Sequence, residues 1–338
     1  MLKELMDVLG YDKGVADYLL NSSSIERSNE DTICAHLAVN YIYLKTFGYS
    51  EQQFLKMIIA YPNLCILSKK NIEDKINNLI YFGYSEKEII KMTVNFPKIY
   101  SFSKDNINSK INNMLLLGYK KDDILKITKM NPSIYGYDSN TLKKKIENIS
   151  KIGYTEDEVI KMSKRLYTLL NLDVNSLKQK IEDMHIFGYN NADIILMTKK
   201  YPTIFSFDIE SCKTKFINIM TLGYTKKEVM ELGKEYPAIF GHDVDTINEK
   251  LEYYINIGLK NEILQNANHL MQSIDLSYAR YEFFKSKGIV IDKNNYKRLF
   301  LDEKAFEKRF KVKKSELLIL YSYSEFIKNN KSKSIIYL

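Results

Sequence analysis

One lysine returns at the same place in six successive stretches of this chain, as Lys75, Lys110, Lys145, Lys180, Lys215 and Lys250, each 35 residues after the last. Small polar residues sit four positions before it and, in most copies, three positions after, among them Asn113, Asn148 and Asn218. Ammonium and amide groups suit phosphate oxygens, in contacts that hold a nucleic acid in place without reading its sequence. A lysine beside an apolar helix face has a second use: its methylene stem covers the edge of the core while the residue four before it helps cap the helix. The spacing admits both. A second periodic set, Lys126, Lys129, Lys161, Lys164, Arg165, Lys199 and Lys200, with Lys56, Lys91 and Lys234, falls opposite the apolar face of a different helix and reads as solvated charge or as a second electrostatic track. A third group, Lys297, Arg298, Lys304, Lys308 and Arg309, followed by Lys311, Lys313 and Lys314 and preceded by Arg280, is denser and has no period.

Little else in the sequence could do chemistry. His36, His185, His242 and His269 are scattered, without the close pairing a zinc site needs. Cys34, Cys65 and Cys212 are odd in number and lack metal-ligand spacing, so they read as free thiols of a reducing compartment. No phosphate-cradling glycine loop, nucleophile elbow or repeated carboxylate pair occurs. These residues predict a non-enzymatic protein with no cofactor, no metal and no small-molecule substrate. The opening residues, MLKELMDVLG, have neither the long apolar run of a secretory signal nor the Arg/Ser enrichment of a transit peptide, and no stretch is apolar enough to span a bilayer, so the expected location is cytoplasmic and away from membranes.

The elements that must position the lysines follow from a strict repeat. Gly-Tyr recurs at 48–49, 83–84, 118–119, 153–154, 188–189 and 223–224, and Gly258-Leu259 continues the series. All five prolines lie fourteen residues after such a glycine, and the copy from Gly153 has Tyr167 there instead. A fixed period of this length marks a solenoid. Within each copy, a glycine suited to the left-handed helix end is followed by a tyrosine and then by a capping box: Ser50 with Gln53, Ser85 with Glu88, Thr155 with Glu158, Thr225 with Glu228. The first helix must stop at the proline. After a short apolar turn, Ser68, Ser103, Asp138, Asp173, Asp208 or Asp243 caps a second helix, whose buried face reads as Ile107, Ile111 and Met114 in one copy and Leu142, Ile146 and Ile149 in another. Helices of about 11 to 14 residues are marginal alone and must stack on their neighbours.

The predicted fold is therefore all-α: an α-solenoid superhelix, right- or left-handed, of 35-residue two-helix repeats in a curved array. Residues 1–47 form a degenerate N-terminal cap built on Gly10-Tyr11-Asp12, residues 48–257 the six repeats, and residues 258–338 a basic helical cap of different design. The net charge of +8 is uneven: −3 over residues 1–47, then +1, +2, +4, −1, +1 and −3 over the six repeats, and +7 over residues 258–338. Forty-five per cent apolar and 27% charged residues are enough to bury a large core and argue against a disordered chain.

The repeat, seen in full from Phe82 to Met114, resembles those of the mitochondrial transcription termination factor (mTERF) family, and Ala279-Arg280-Tyr281-Glu282-Phe283, Lys287-Gly288 and Leu299-Phe300 through Phe306 resemble that family's C-terminal segment. The resemblance spans roughly residues 48–310. It implies a curved array of units, each with two helices and a tight third turn, whose basic concave face binds duplex DNA or, in some members, RNA, in roles centred on transcription and ribosome biogenesis. Duplex DNA is the favoured partner, RNA the alternative, and a protein-binding scaffold the reading from another class. Only five arginines, Arg27, Arg165, Arg280, Arg298 and Arg309, are present to fork onto guanine.

Overall fold

The computed structural model describes residues 2–8, 10–22 and 28–328. Arg27 and the last ten residues lie outside this range. Every element in it is helical, with no strand among the described residues. The chain divides into two compact units, 1–176 and 177–338.

In the first unit, Asp12 caps Lys13–Leu20 by accepting from the Gly14 N–H, and the longer helix Glu30–Phe47 leads into the repeats. Each repeat is then built from three pieces. In the copy from Gly83 these are Glu86–Asn95, a 3-10 turn Pro97–Ser101, and Lys104–Leu116. The expected capping boxes at Ser50, Ser85 and Thr155 are all formed. Gly48, Gly83, Gly118 and Gly153 have φ between 95° and 130°, the left-handed region that a residue bearing Cβ avoids.

First helices come out shorter than expected, at 10 residues in the proline-containing copies. The reason is local. The residue before each proline, Tyr61, Phe96 or Asn131, is driven to φ near −140° and ψ near 75° and ends the helix there, while the proline, needing no N–H partner, opens the 3-10 turn. The copy from Gly153 lacks proline: its first helix closes after eight residues, Glu156–Ser163, and its 3-10 turn shrinks to Leu169–Asn171. The expected core faces are buried, including Ile107, Ile111 and Met114, and Leu142, Ile146 and Ile149. Each such side chain contributes about 1.5–3 kcal/mol when withdrawn from water.

The second unit repeats the pattern with Asn191–Lys200, Pro202–Ser206 and Ile209–Thr221, then with Lys226–Glu235, Pro237–Gly241 and Val244–Asn256. Beyond Gly258 the chain does not abandon the design. A shortened seventh copy follows: Lys260–Gln265, a 3-10 turn Ala267–Met271, and Ile274–Ser286 capped by Ser273. Asn266, at φ −146° and ψ 76°, adopts the conformation that precedes proline elsewhere, with no proline to impose it. The shorter first helix moved this copy out of the 35-residue register. After it come the 3-10 turn Tyr296–Phe300 and the helices Glu303–Phe310 and Lys314–Leu320.

Candidate nucleic-acid interface

The repeat lysines are held in a common way. Lys75 Nζ donates to the Phe102 carbonyl at 2.8 Å and Lys110 Nζ to the Tyr137 carbonyl at 2.8 Å, in both cases 27 residues ahead. Lys180 donates likewise to Phe207, Lys215 to the Phe240 carbonyl at 2.7 Å, and Lys250 to the Leu270 carbonyl at 2.8 Å. Lys145 lies over the Tyr137 ring, 4.9 Å from its centroid. The acceptors close the 3-10 turn of the following copy, where a carbonyl has no helical partner of its own. Five of the six lysines thus reach from the second helix of one copy to the turn of the next, and Lys145 instead lies against a ring of its own copy. Their heads are half-buried, and burial lowers the affinity of Lys110 and Lys250 for their protons. Lys250 keeps the contact even though its acceptor is only 20 residues away, because the seventh copy is shorter.

Among the flanking amides, Asn148 is exposed and accepts from Lys151 Nζ at 3.4 Å, while Asn113 and Asn218 are half-buried. Four residues before the lysines, the Asn106 and Thr141 N–H groups are taken by the caps Ser103 and Asp138. The geometry thus gives this face a job in joining copies.

First-helix cations fall into two groups. Lys129 pairs with Glu88 at 2.8 Å, and Lys164 with Asp123 at 2.7 Å. In the second unit Lys234 meets Asp193 at 3.8 Å and its own-helix Glu231 at 2.7 Å. Counted from the glycine, these are the lysine of position 11 and the acid of position 5 one copy earlier. The same Glu88 receives the Ser85 N–H, so one carboxylate caps its own helix and ties down the next copy. Lys129 first, then the Ser85 N–H, holds Glu88 below the usual carboxylate range, and Lys164 does the same for Asp123. Lys199 and Arg165 also have partners, and Lys200 is bound to the Glu235 carbonyl and faces its carboxylate. Lys126 and Lys161, by contrast, are exposed and form no salt bridge among the described residues, although Lys126 lies near enough to Asp123 to help hold its pKa down.

Arg280 requires a correction. Its place beside the C-terminal cations suggested contact with nucleic acid, but it is 1% exposed. Its Nη1 donates to the Leu299 carbonyl at 2.8 Å and the Leu301 carbonyl at 2.6 Å, and the guanidinium lies 4.3 Å from the Phe306 ring centre. Burial lowers its pKa to about 10. It is the pin that holds the 3-10 turn Tyr296–Phe300 and the start of Glu303–Phe310 onto Ile274–Ser286. Around that pin the remaining cations point outward: Lys297, Lys304, Lys308 and Arg309 are exposed and Arg298 is half-exposed, with no carboxylate partner among the described residues. Lys308 and Arg309 occupy the last turn of their helix, where the negative end of its dipole favours cations. Lys314 alone is committed, to Glu303 at 2.6 Å.

The tyrosine of Gly-Tyr does more than seal the helix start. The Tyr49 hydroxyl is hydrogen-bonded to Thr93 at 2.6 Å and Tyr100 at 3.1 Å, and Tyr84 repeats this with Thr128 at 2.5 Å and Tyr135 at 2.6 Å. In the second unit Gly233 replaces the threonine and leaves the Tyr189 hydroxyl without a hydrogen-bond partner among the described residues, and a Cβ there would come within 2.1 Å of that oxygen. The histidines are structural: His36 binds the Ile66 carbonyl, His185 the Tyr189 carbonyl and His242 the Tyr236 hydroxyl, while His269 stacks on Phe300 at 3.8 Å. The three thiols are free and buried. Among the described residues no cluster of His, Cys, Asp or Glu could hold a metal, and no helix is long and apolar enough to cross a membrane.

Fold and side chains together define an all-helical repeat protein whose copies are joined by lysine–carbonyl, acid–lysine and tyrosine–threonine contacts. A model of the mTERF family matches residues 32–115, 69–186 and 168–307, so the chain belongs to the mTERF family, whose members are generally nucleic-acid-binding helical-repeat proteins. A search of curated proteins finds no match.

Proposed function

We propose that the protein binds nucleic acid without catalysis, with duplex DNA as the preferred partner, and through it regulates transcription. The observation that carries this reading is the set of exposed cations with no salt-bridge partner among the described residues: Lys297, Lys304, Lys308 and Arg309, with Lys126 and Lys161 in the first unit. Holding such charges in water without counter-carboxylates keeps them available for phosphate, and contacts of this kind make affinity fall steeply with salt. Few arginines reach solvent, so most of the binding energy is placed on the backbone and little on base edges.

The test is a titration of the whole protein against duplex DNA, single-stranded DNA and RNA of one sequence, at about 50 and about 200 mM salt. Tightest binding to the duplex, weakening by one to several orders of magnitude across that salt range, is expected. No binding at the lower salt overturns the function, and tighter binding to RNA overturns the choice of partner. A second reading, a protein-binding surface, draws on apolar side chains in water at the ends of second helices, notably Tyr81 at 69% and Leu116 at 86% exposure.

A further inference from the structure

Two departures from the repeat meet at one groove of the second unit. Counted 29 residues from the glycine, the six copies carry Asn77, Asn112, Glu147, Glu182, Ile217 and Glu252, so an isoleucine stands where every other copy is polar or acidic. Three residues from the glycine, at the start of the first helix, they carry Glu51, Glu86, Lys121, Glu156, Asn191 and Lys226. Lys121 follows a copy that has Asn112 at the other place, so only at 217 and 226 do the apolar and the basic change adjoin. Ile217 is 60% exposed. Lys226 is exposed, has no salt-bridge partner among the described residues, and sits in the first turn of Lys226–Glu235, where the helix dipole favours acids. Neither departure is one that the stacking of copies calls for.

Ile217 and Lys226 line the same groove, of about 260 Å³, with Ile186 just past the end of Val174–His185 and with Lys213 and Met220 of Ile209–Thr221. Its floor is Phe187 and Phe216, both buried, their rings stacked at 5.1 Å. Ile186 and Met220 are exposed beside Ile217. Lys213, Ile217 and Met220 fall four and then three residues apart on one face of their helix, a stripe about 10 Å long from a rise of 1.5 Å per residue. No carboxylate lines the groove, and both charged lining residues are lysines. Glu210, which meets Lys213 at 2.5 Å from one turn back, is 71% exposed and outside the lining.

Those features select the occupant. Apolar side chains held in water beside lysine ammonium groups match a surface of the opposite pattern, apolar residues edged by carboxylates. The groove is too small and too open to enclose a small molecule, whose sites run to about 300–1,000 Å³ and bury most of the ligand. Its rings are covered, so it offers no aromatic face on which a nucleic-acid base could stack. A stripe of about 10 Å matches about two turns of helix, enough for apolar anchors one and two turns apart. Met220, unbranched and polarizable, adjusts to their shape.

We propose that this groove docks an acidic amphipathic helix of a partner protein, its apolar residues on Ile186, Ile217 and Met220 and its carboxylates on Lys213 and Lys226. The site rests on the protein-binding reading, to which it gives a place and a partner chemistry, and it is separate from the cations assigned to phosphate. Fluorescence anisotropy of the full-length protein tests it, with a labelled helical peptide whose leucine stripe is edged by glutamate and with the same peptide edged by lysine. The glutamate peptide should bind saturably and the lysine peptide about tenfold or more weakly. Ile217→Glu and Lys226→Glu each install the residue that three other copies carry, so thermal unfolding should not change, while the glutamate peptide binds about tenfold more weakly to the first and a few-fold more weakly to the second. Should Ile217→Glu unfold, Ile217→Asn, which installs the residue of the first two copies, should still weaken binding. Duplex-DNA affinity should be the same in all of them. No saturable binding of the glutamate peptide, equal binding by the folded Ile217 variants, preference for the lysine peptide, or a parallel loss of duplex-DNA affinity would each overturn the site. Binding lost in Leu116→Ser and kept in Ile217→Glu would overturn this groove and leave the protein-binding reading standing on the first unit.

Discussion

Two populations of cations divide this molecule. In the repeats, lysine is periodic and occupied: Lys75, Lys110, Lys180, Lys215 and Lys250 donate to carbonyls of the next copy, and Lys129 and Lys164 pair with acids of the copy before. In the C-terminal region it is aperiodic and largely unoccupied, as Lys297, Lys304, Lys308 and Arg309 show. The contrast teaches that regularity in a repeat protein tracks what each copy needs from its neighbour, because every copy faces the same problem of leftover carbonyls and caps. A ligand makes no such uniform demand. Charge that departs from the period is therefore the better guide to a partner.

The comparison can be broken most severely at Arg280, the buried cation of the C-terminal group, which donates to carbonyls as the repeat lysines do. Arg280→Met should destabilise the protein by about 3 kcal/mol or more, since the carbonyls of Leu299 and Leu301 lose a charged donor inside the core. Denaturant unfolding measures this, and a change below about 0.5 kcal/mol would put Arg280 back among surface cations.

A smaller effect is expected from the acid–lysine ties. Lys129→Gln should cost only a few tenths of a kcal/mol to about 1 kcal/mol, because both partners are about one-third exposed. It should also change the pH profile. Glu88 and Asp123 have folded pKa values below their ordinary 4.5 and 3.8, so their contribution is present above those values and is lost as pH falls through the lower folded ones. The Lys129→Gln variant should lose less stability than the parent over that acid range in urea titrations.

Much of the fold was legible because it rests on local rules. Glycine at a left-handed helix end, a capping box and a pre-proline residue are each set by neighbours within a few positions, and Gly83, Ser85 and Phe96 behave as their types require. The seventh copy was missed because it has no proline and a shortened first helix, which removed both the marker and the spacing. The candidate site was legible only in part. Periodicity placed Lys110 beside the core edge but could not name the Tyr137 carbonyl, which lies 27 residues on in another copy. Glu88 and Lys129 are 41 residues apart and meet only once copies are stacked. Arg280 and Arg298 look alike in sequence, and only packing against Phe306 separates the buried one from its neighbour.

The most direct test sets the two populations against each other in one experiment: the salt dependence of duplex-DNA binding, measured with thermal unfolding, for Lys304→Gln/Lys308→Gln/Arg309→Gln and for Lys75→Met/Lys110→Met/Lys215→Met. The C-terminal variant should lose about 2–3 from the slope of log affinity against log salt, close to 0.9 per phosphate contact removed, with unfolding unchanged. The repeat variant should be destabilised by about 1 kcal/mol or more per lysine and, where still folded, keep its slope. A repeat variant that folds normally but loses the slope, beside a C-terminal variant that keeps it, would contradict the account.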